Sequence, residues 1–134
     1  MPHLVVDGMN VIGTRPDGWW RDRAGAARRL LARLQALHAA SGDPVTLVLD
    51  GRPLPDVPEG THRGVDVLYA RRGGRDAADD RIVEFLRRLD DPSSVAVVTS
   101  DRGLRTRVRE PGATVVGAGT LLERLDQLGA PDRT

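Results

Sequence analysis

Short apolar runs, each closed by an acid, set the rhythm of this chain. Leu4-Val5-Val6 leads into Asp7, Leu47-Val48-Leu49 into Asp50, and Val97-Val98-Thr99-Ser100 into Asp101. Runs this short, apolar on both faces and rich in β-branched residues, read as buried strands. The pattern predicts strands over 3–7, 45–49, 65–69, 95–99 and 113–116. Between them the apolar period changes to three and four. Ala27, Leu30, Leu31, Leu34 and Leu37 form one stripe of a helix over about 20–40, and Arg28, Arg29 and Arg33 fall away from it. Ser41-Gly42-Asp43-Pro44 should end that helix, with Gly at the C′ position and Pro forbidding continuation. Ala78, Ile82, Phe85, Leu86 and Leu89 share the buried face of a second helix over about 76–89. Asp76 is its expected N-cap, with Asp79 as the acidic member of a capping box. A short helix over 102–109 and a last one, capped by Thr120 and running through Leu128, complete the set.

The connections carry their own signals. Gly8 permits a tight turn or a close backbone approach. Residues 13–18 and the Pro- and Gly-rich stretch 52–64 read as loops, Arg71-Arg72-Gly73-Gly74-Arg75 as a basic loop, and Asp90-Asp91-Pro92 as a turn. Trp19-Trp20 stands at the mouth of the long helix, suited to packing over the sheet or to a hydrophobic staple, with base stacking as the alternative. The order β-α-β-β-α-β-α-β-α predicts an α/β fold: a mainly parallel central sheet of about five strands with right-handed crossovers. The 134 residues fit one domain over 1–128, followed by a frayed tail over 129–134.

A parallel sheet changes the meaning of the acids. Asp7, Asp50 and Asp101 would all arrive at the C-terminal edge of the strands, where open α/β folds bind ligands. Asp79-Asp80, opening a helix after the third strand, would join them. A switch point beside the first strand would put Asp7 and Asp101 on adjacent strands. Each acid also has a plainer explanation. First-turn acids favour the helix dipole, and Asp-Gly after a strand is an ordinary turn, which ranks Asp50 below the others.

Composition narrows the chemistry. There is no cysteine, so disulfides, thiolate zinc and Cys nucleophiles are excluded. Every basic residue is an arginine, which removes the P-loop lysine and Schiff-base chemistry. His3, His38 and His62 have no metal-ligand spacing, and Ser100-Asp101 has no partner His arranged as a triad. No apolar run reaches the ~20 residues of a membrane span, and no signal peptide is recognisable, so the expected location is cytoplasmic. Net charge is +1, so any polyanion would be held by local clusters. Arg71, Arg72 and Arg75 precede Asp79, while Arg102, Arg105, Arg107 and Arg109 follow Asp101. For any single Arg, a solvated helix face is the simpler account.

Clustered carboxylates without cations repel, so a tight cluster argues for metal. Magnesium and manganese take oxygen ligands from one or two carboxylates, water and phosphate. Two such ions can activate water and stabilise the leaving oxygen in phosphodiester cleavage. Asp7 and Asp101 are the expected ligands, completed by Asp79 or Asp80. Asn10 is a neutral group that would orient Asp7 or a bound water. Thr99 and Ser100 would hydrogen-bond a carboxylate or a substrate phosphate.

Three segments then support a resemblance. Val5-Val6-Asp7-Gly8-Met9-Asn10-Val11-Ile12, Ala77-Ala78-Asp79-Asp80-Arg81-Ile82 and Val97-Val98-Thr99-Ser100-Asp101-Arg102 resemble, in order, the motifs of the NYN domain family, YacP-like branch. That family belongs to the PIN-like superfamily of metal-dependent nucleases. The resemblance implies a PIN-like three-layer sandwich and an acidic site at Asp7, Asn10, Asp79, Asp80 and Asp101. It further implies Mg2+ or Mn2+ as cofactor, and RNA, single-stranded, structured or ribosome-associated, as partner. The chain is shorter than YacP-like proteins. It also has no clear counterpart of the glutamate that many PIN-like nucleases carry on an early helix, since Glu84 and Glu110 are poorly placed. A ribonuclease is therefore the leading expectation. An inactive RNA- or ribosome-binding module is the alternative, and a small-molecule phosphohydrolase is weaker.

Overall fold

The computed structural model describes residues 3–70 and 77–129. The basic loop 71–75, the Asp76 cap and the tail beyond 129 lie outside the described residues. Six strands form one sheet: β1 (His3–Asp7), β2 (Val45–Asp50), β3 (Gly60–His62), β4 (Val65–Ala70), β5 (Val95–Val98) and β6 (Thr114–Val116). Their spatial order is β3-β4-β2-β1-β5-β6. All pairings are parallel except β3 with β4. The helices are α1 (Gly8–Gly13), α2 (Arg23–Ser41), α3 (Ala77–Arg87), α4 (Arg102–Arg109) and α5 (Ala118–Gly129).

Strand alternation sorts the core into two halves. Leu4, Val6, Leu47, Leu49 and Val98 face α1, α2 and α5, while Val5, Val48, Val95 and Val97 face α3 and α4. Both faces are thus covered, as an all-apolar parallel strand requires. The three-layer α/β arrangement is the one expected. The direction in which strands are added reverses at β1: β2 and β4 lie on one side of it, β5 and β6 on the other. This is the switch point that sets Asp7 beside the end of β5.

Three elements differ from expectation. The six residues after Asp7 form α1, too short for apolar periodicity to reveal. The stretch 52–64 contains β3, an exposed edge strand paired antiparallel with β4. Arg63 (φ 48°) and Gly64 (φ 86°) turn that hairpin. Two positive φ values are what a type I′ turn requires, but Asn-Gly or Asp-Gly is its usual signature. The last helix begins at Ala118, ahead of Thr120, because Ser100 Oγ accepts the Ala118 amide at 3.0 Å. Its first donor is satisfied from a distant strand end instead of a local cap. Elsewhere the signals hold. Asp22 caps α2 by accepting from the Gly25 amide at 2.9 Å, and Gly42 ends it in the left-handed region at φ 75°. Trp19–Arg21 forms a separate 3-10 turn ahead of that cap.

Gly8 sits where α1 leaves the sheet. A Cβ there would stand 2.7 Å from Leu49 Cδ2 and 2.9 Å from the Val48 carbonyl oxygen. We expect Gly8→Ala to destabilise the fold by about 1–3 kcal/mol, as overpacking against backbone does. Urea unfolding checks this. An unchanged midpoint would mean that α1 shifts freely.

Candidate active site

Asp7 ends β1 with only 5% of its surface exposed. Thr99, fully buried just past β5, donates from Oγ1 to Asp7 Oδ2 at 3.0 Å. The same Oγ1 accepts the Asp101 amide at 3.1 Å. One hydroxyl therefore links the Asp7 carboxylate to the backbone of Asp101. Asp101 starts α4 as its N-cap, Oδ1 accepting from the Leu104 amide at 2.9 Å, and the residue remains exposed. Asn10, on α1, accepts the Ser100 amide through Oδ1 at 2.8 Å. Its carbonyl thus pins the β5–α4 turn, and the Asn10 backbone amide, together with Thr99, favours the ionised form of Asp7. The Asn10 side chain, expected to orient Asp7 or a bound water, grips the neighbouring turn.

Burial pushes the Asp7 carboxyl up to about 6, against the opposing effect of Thr99 and the Asn10 amide; Asp101 and Asp50 add like-charge repulsion. Asp50 is thus close enough to act on Asp7, although the sequence ranked it last. Its closeness comes from strand order: β2 is the neighbour of β1 and ends at the same edge. Asp79 and Asp80 occupy the first turn of α3, Asp79 half-buried and Asp80 exposed. Asp80 Oδ1 pairs with Arg107 of α4 at 2.9 Å, an exposed bridge of small energetic weight.

Asp7, Asp50 and Asp101, with Asn10, Thr99 and Ser100, make an oxygen-only set at the switch point. Among the described residues, no group of three or more His, Asp or Glu stands ready to hold a metal ion. Magnesium does not need one, since it is often bound by one or two carboxylates plus waters and substrate phosphates. Asp7 and Asp101 suit that mode, and a cation would offset the charge that burial and neighbouring acids make costly at Asp7.

The fold and site define a mainly parallel α/β domain whose central strand delivers a carboxylate to the switch point. The chain belongs to the YacP-like NYN domain family, which matches residues 4–133. Among solved structures it is similar to Rae1 (YacP) from Bacillus subtilis, at 25% identity and a TM-score of 0.76, covering 96% of this chain and 75% of that one. A tryptophan-to-leucine mutant of that protein aligns at 24% identity and the same TM-score of 0.76, covering 96% of this chain and 77% of that one. No curated protein matches the chain. Among the described residues, no helix is long and apolar enough to cross a membrane.

The Asp7 carboxyl titrates at about 6 in the fold against 3.8 ordinarily. The native state therefore holds the extra proton between those values, and stability falls as pH rises through that window. The ionised group costs on the order of 3 kcal/mol above it. Asp7→Asn, which keeps an acceptor for Thr99, should raise stability by about that amount at pH 7.5 and by much less at pH 4. Denaturant midpoints at the two pH values measure this. Equal gains at both would refute the buried charge as the cause.

Proposed function

We propose that this chain is a metal-dependent ribonuclease, an endonuclease that hydrolyses RNA phosphodiester bonds at the carboxylate edge. The observation that supports it most is the buried Asp7 carboxylate, hydrogen-bonded to Thr99 and repelled by Asp101 and Asp50. Burying a carboxylate among others is costly unless a cation completes the site. Asp7 and Asp101 would hold Mg2+ or Mn2+, with Asp79, Asp80 and Asp50 around them. When bound, the metal supplies charge neutralisation on the phosphate and a more acidic water.

The chain's own residues do the positioning. Thr99 fixes one carboxylate oxygen of Asp7. Asn10 locks α1 to the β5–α4 turn, so Asp7 and Asp101 keep a constant relation. Arg102 opens α4 directly after Asp101. Arg105 lies one turn further on, the spacing that keeps two residues on one helix face. Its Nε is buried without a hydrogen-bond partner among the described residues. Arg102, exposed beside Asp101, is the one suited to the phosphates of an RNA strand.

The alternative is an RNA- or ribosome-binding module without turnover. It draws support from the employment of two of the acids, with Asp101 capping α4 and Asp80 paired with Arg107. It predicts salt-sensitive RNA binding and no cleavage in any metal.

A panel of single-stranded and structured RNAs, incubated with magnesium, manganese or chelator, tests the reading. We expect metal-dependent cutting that falls at least ~100-fold in Asp7→Asn and in Asp101→Asn. Asparagine is also a good N-cap, so Asp101→Asn should still fold. Magnesium should raise the melting temperature of the unmutated chain but not of Asp7→Asn. RNA binding without cleavage or a magnesium shift would favour the binding module.

A further inference from the structure

Beside the acidic edge the surface sinks into a hollow of about 300 Å³. Its floor is apolar: Met9 from α1, Leu49 from β2, Leu54 from the loop after it, and Tyr69 from β4. The Tyr69 hydroxyl is already engaged, donating to the Val57 carbonyl at 2.6 Å and accepting the Leu54 amide at 3.3 Å. Tyr69, itself buried, therefore anchors the Leu54 loop, and the partly exposed side chains of the floor are Met9 and Leu54. Asp50 lines the same hollow and also presses on Asp7, so the hollow and the acids share a wall.

The rim is cationic. Arg23 and Arg52 are both exposed and both line the hollow. On the same helix as Arg23, Arg28 is bound to Asp56 and Arg33 to Asp126. Arg23 and Arg52 form no such pair among the described residues. The Arg23 guanidinium lies 5.3 Å from the ring centre of Trp19. Trp19 meets Trp20 edge to face at 5.9 Å, and Trp20 is 53% exposed. Through Arg23 the rim of the hollow is thus linked to the Trp19–Trp20 pair.

We propose that this hollow is a nucleobase subsite, taking one unpaired base of an RNA strand while Arg23 and Arg52 hold the flanking phosphates. The inference rests on the ribonuclease reading and adds to it the place where the strand is gripped. An apolar hollow between two unpaired arginines is complementary to a flat ring carried on an anionic backbone. Its volume is at the small end for ligand pockets, suited to one ring system. A base must leave its stack to enter, so duplex is excluded and a single strand is favoured. Trp20 offers the next base a stacking face.

The test is an abasic scan. A labelled single-stranded RNA 12-mer is prepared with each base removed in turn, and its affinity for the full chain is read by fluorescence anisotropy, in calcium and in chelator. We expect a loss of about tenfold concentrated at one or two adjacent positions, with the matching duplex bound more weakly. Leu54→Trp, which fills the hollow, should flatten that profile. Arg52→Ala, at an exposed position, should weaken every RNA alike and reduce the salt slope by about one. If Leu54→Trp does not fold, the scan on the unmutated chain still decides. A uniform loss at all positions, or a position-specific loss that survives Leu54→Trp, overturns the subsite. Cleavage run in parallel separates the two readings. Cutting with a flat profile removes the subsite and leaves the nuclease, whereas a focused profile without cutting keeps the subsite on a binding module. No binding to any RNA removes both.

Discussion

A carboxylate taken out of water at the end of the central strand is the constraint to which the rest of the site answers. Asp7 cannot turn to solvent, because α1 folds over it directly from the same strand end. Its charge is instead met by the Thr99 hydroxyl and the first turn of α1. Those contacts offset only part of the burial cost, and Asp50 and Asp101 oppose them. An acidic group that the fold keeps ionised at a disadvantage is the costliest polar group of this edge.

The same constraint explains why small polar residues cluster behind the acids. Thr99 serves Asp7 with its proton and the Asp101 amide with its oxygen. Ser100 gives its amide to Asn10 and takes the amide of Ala118. Three helices, α1, α4 and α5, are thereby indexed to two consecutive residues after β5. Carboxylates are held in register by hydrogen bonds that water cannot easily replace.

The hollow next to this edge depends on the opposite kind of chemistry. Its floor is built on buried Leu49 and Tyr69 and finished by partly exposed Met9 and Leu54, where β2 ends and the Pro-rich loop turns away. Tyr69 belongs to the sheet and, through its hydroxyl, to that loop, so the shape of the hollow is fixed by a buried polar contact. The acids and the apolar recess thus meet at Asp50.

The chain's own pattern determined the parallel strands, the long α2 stripe with its Gly42 stop, and the arrival of Asp7, Asp50 and Asp101 at one edge. These follow from local period and from the rule that parallel strands share a direction. Tertiary structure alone decided the rest. α1 is too short for a periodic signal, and β3 is an exposed edge strand whose Arg63-Gly64 turn lacks the usual residues. Both gain their identity from neighbours: α1 from the Gly8 contact with β2, and β3 from its pairing with β4. Local capping points to Thr120 as the start of α5, yet its partner is Ser100, eighteen residues before Ala118. Asp50-Gly51 reads locally as an ordinary turn, whereas its closeness to Asp7 depends on strand order. Period and punctuation are written residue by residue, whereas like-charge proximity, a shared hydroxyl and a cap borrowed from another strand exist only once the chain has closed on itself.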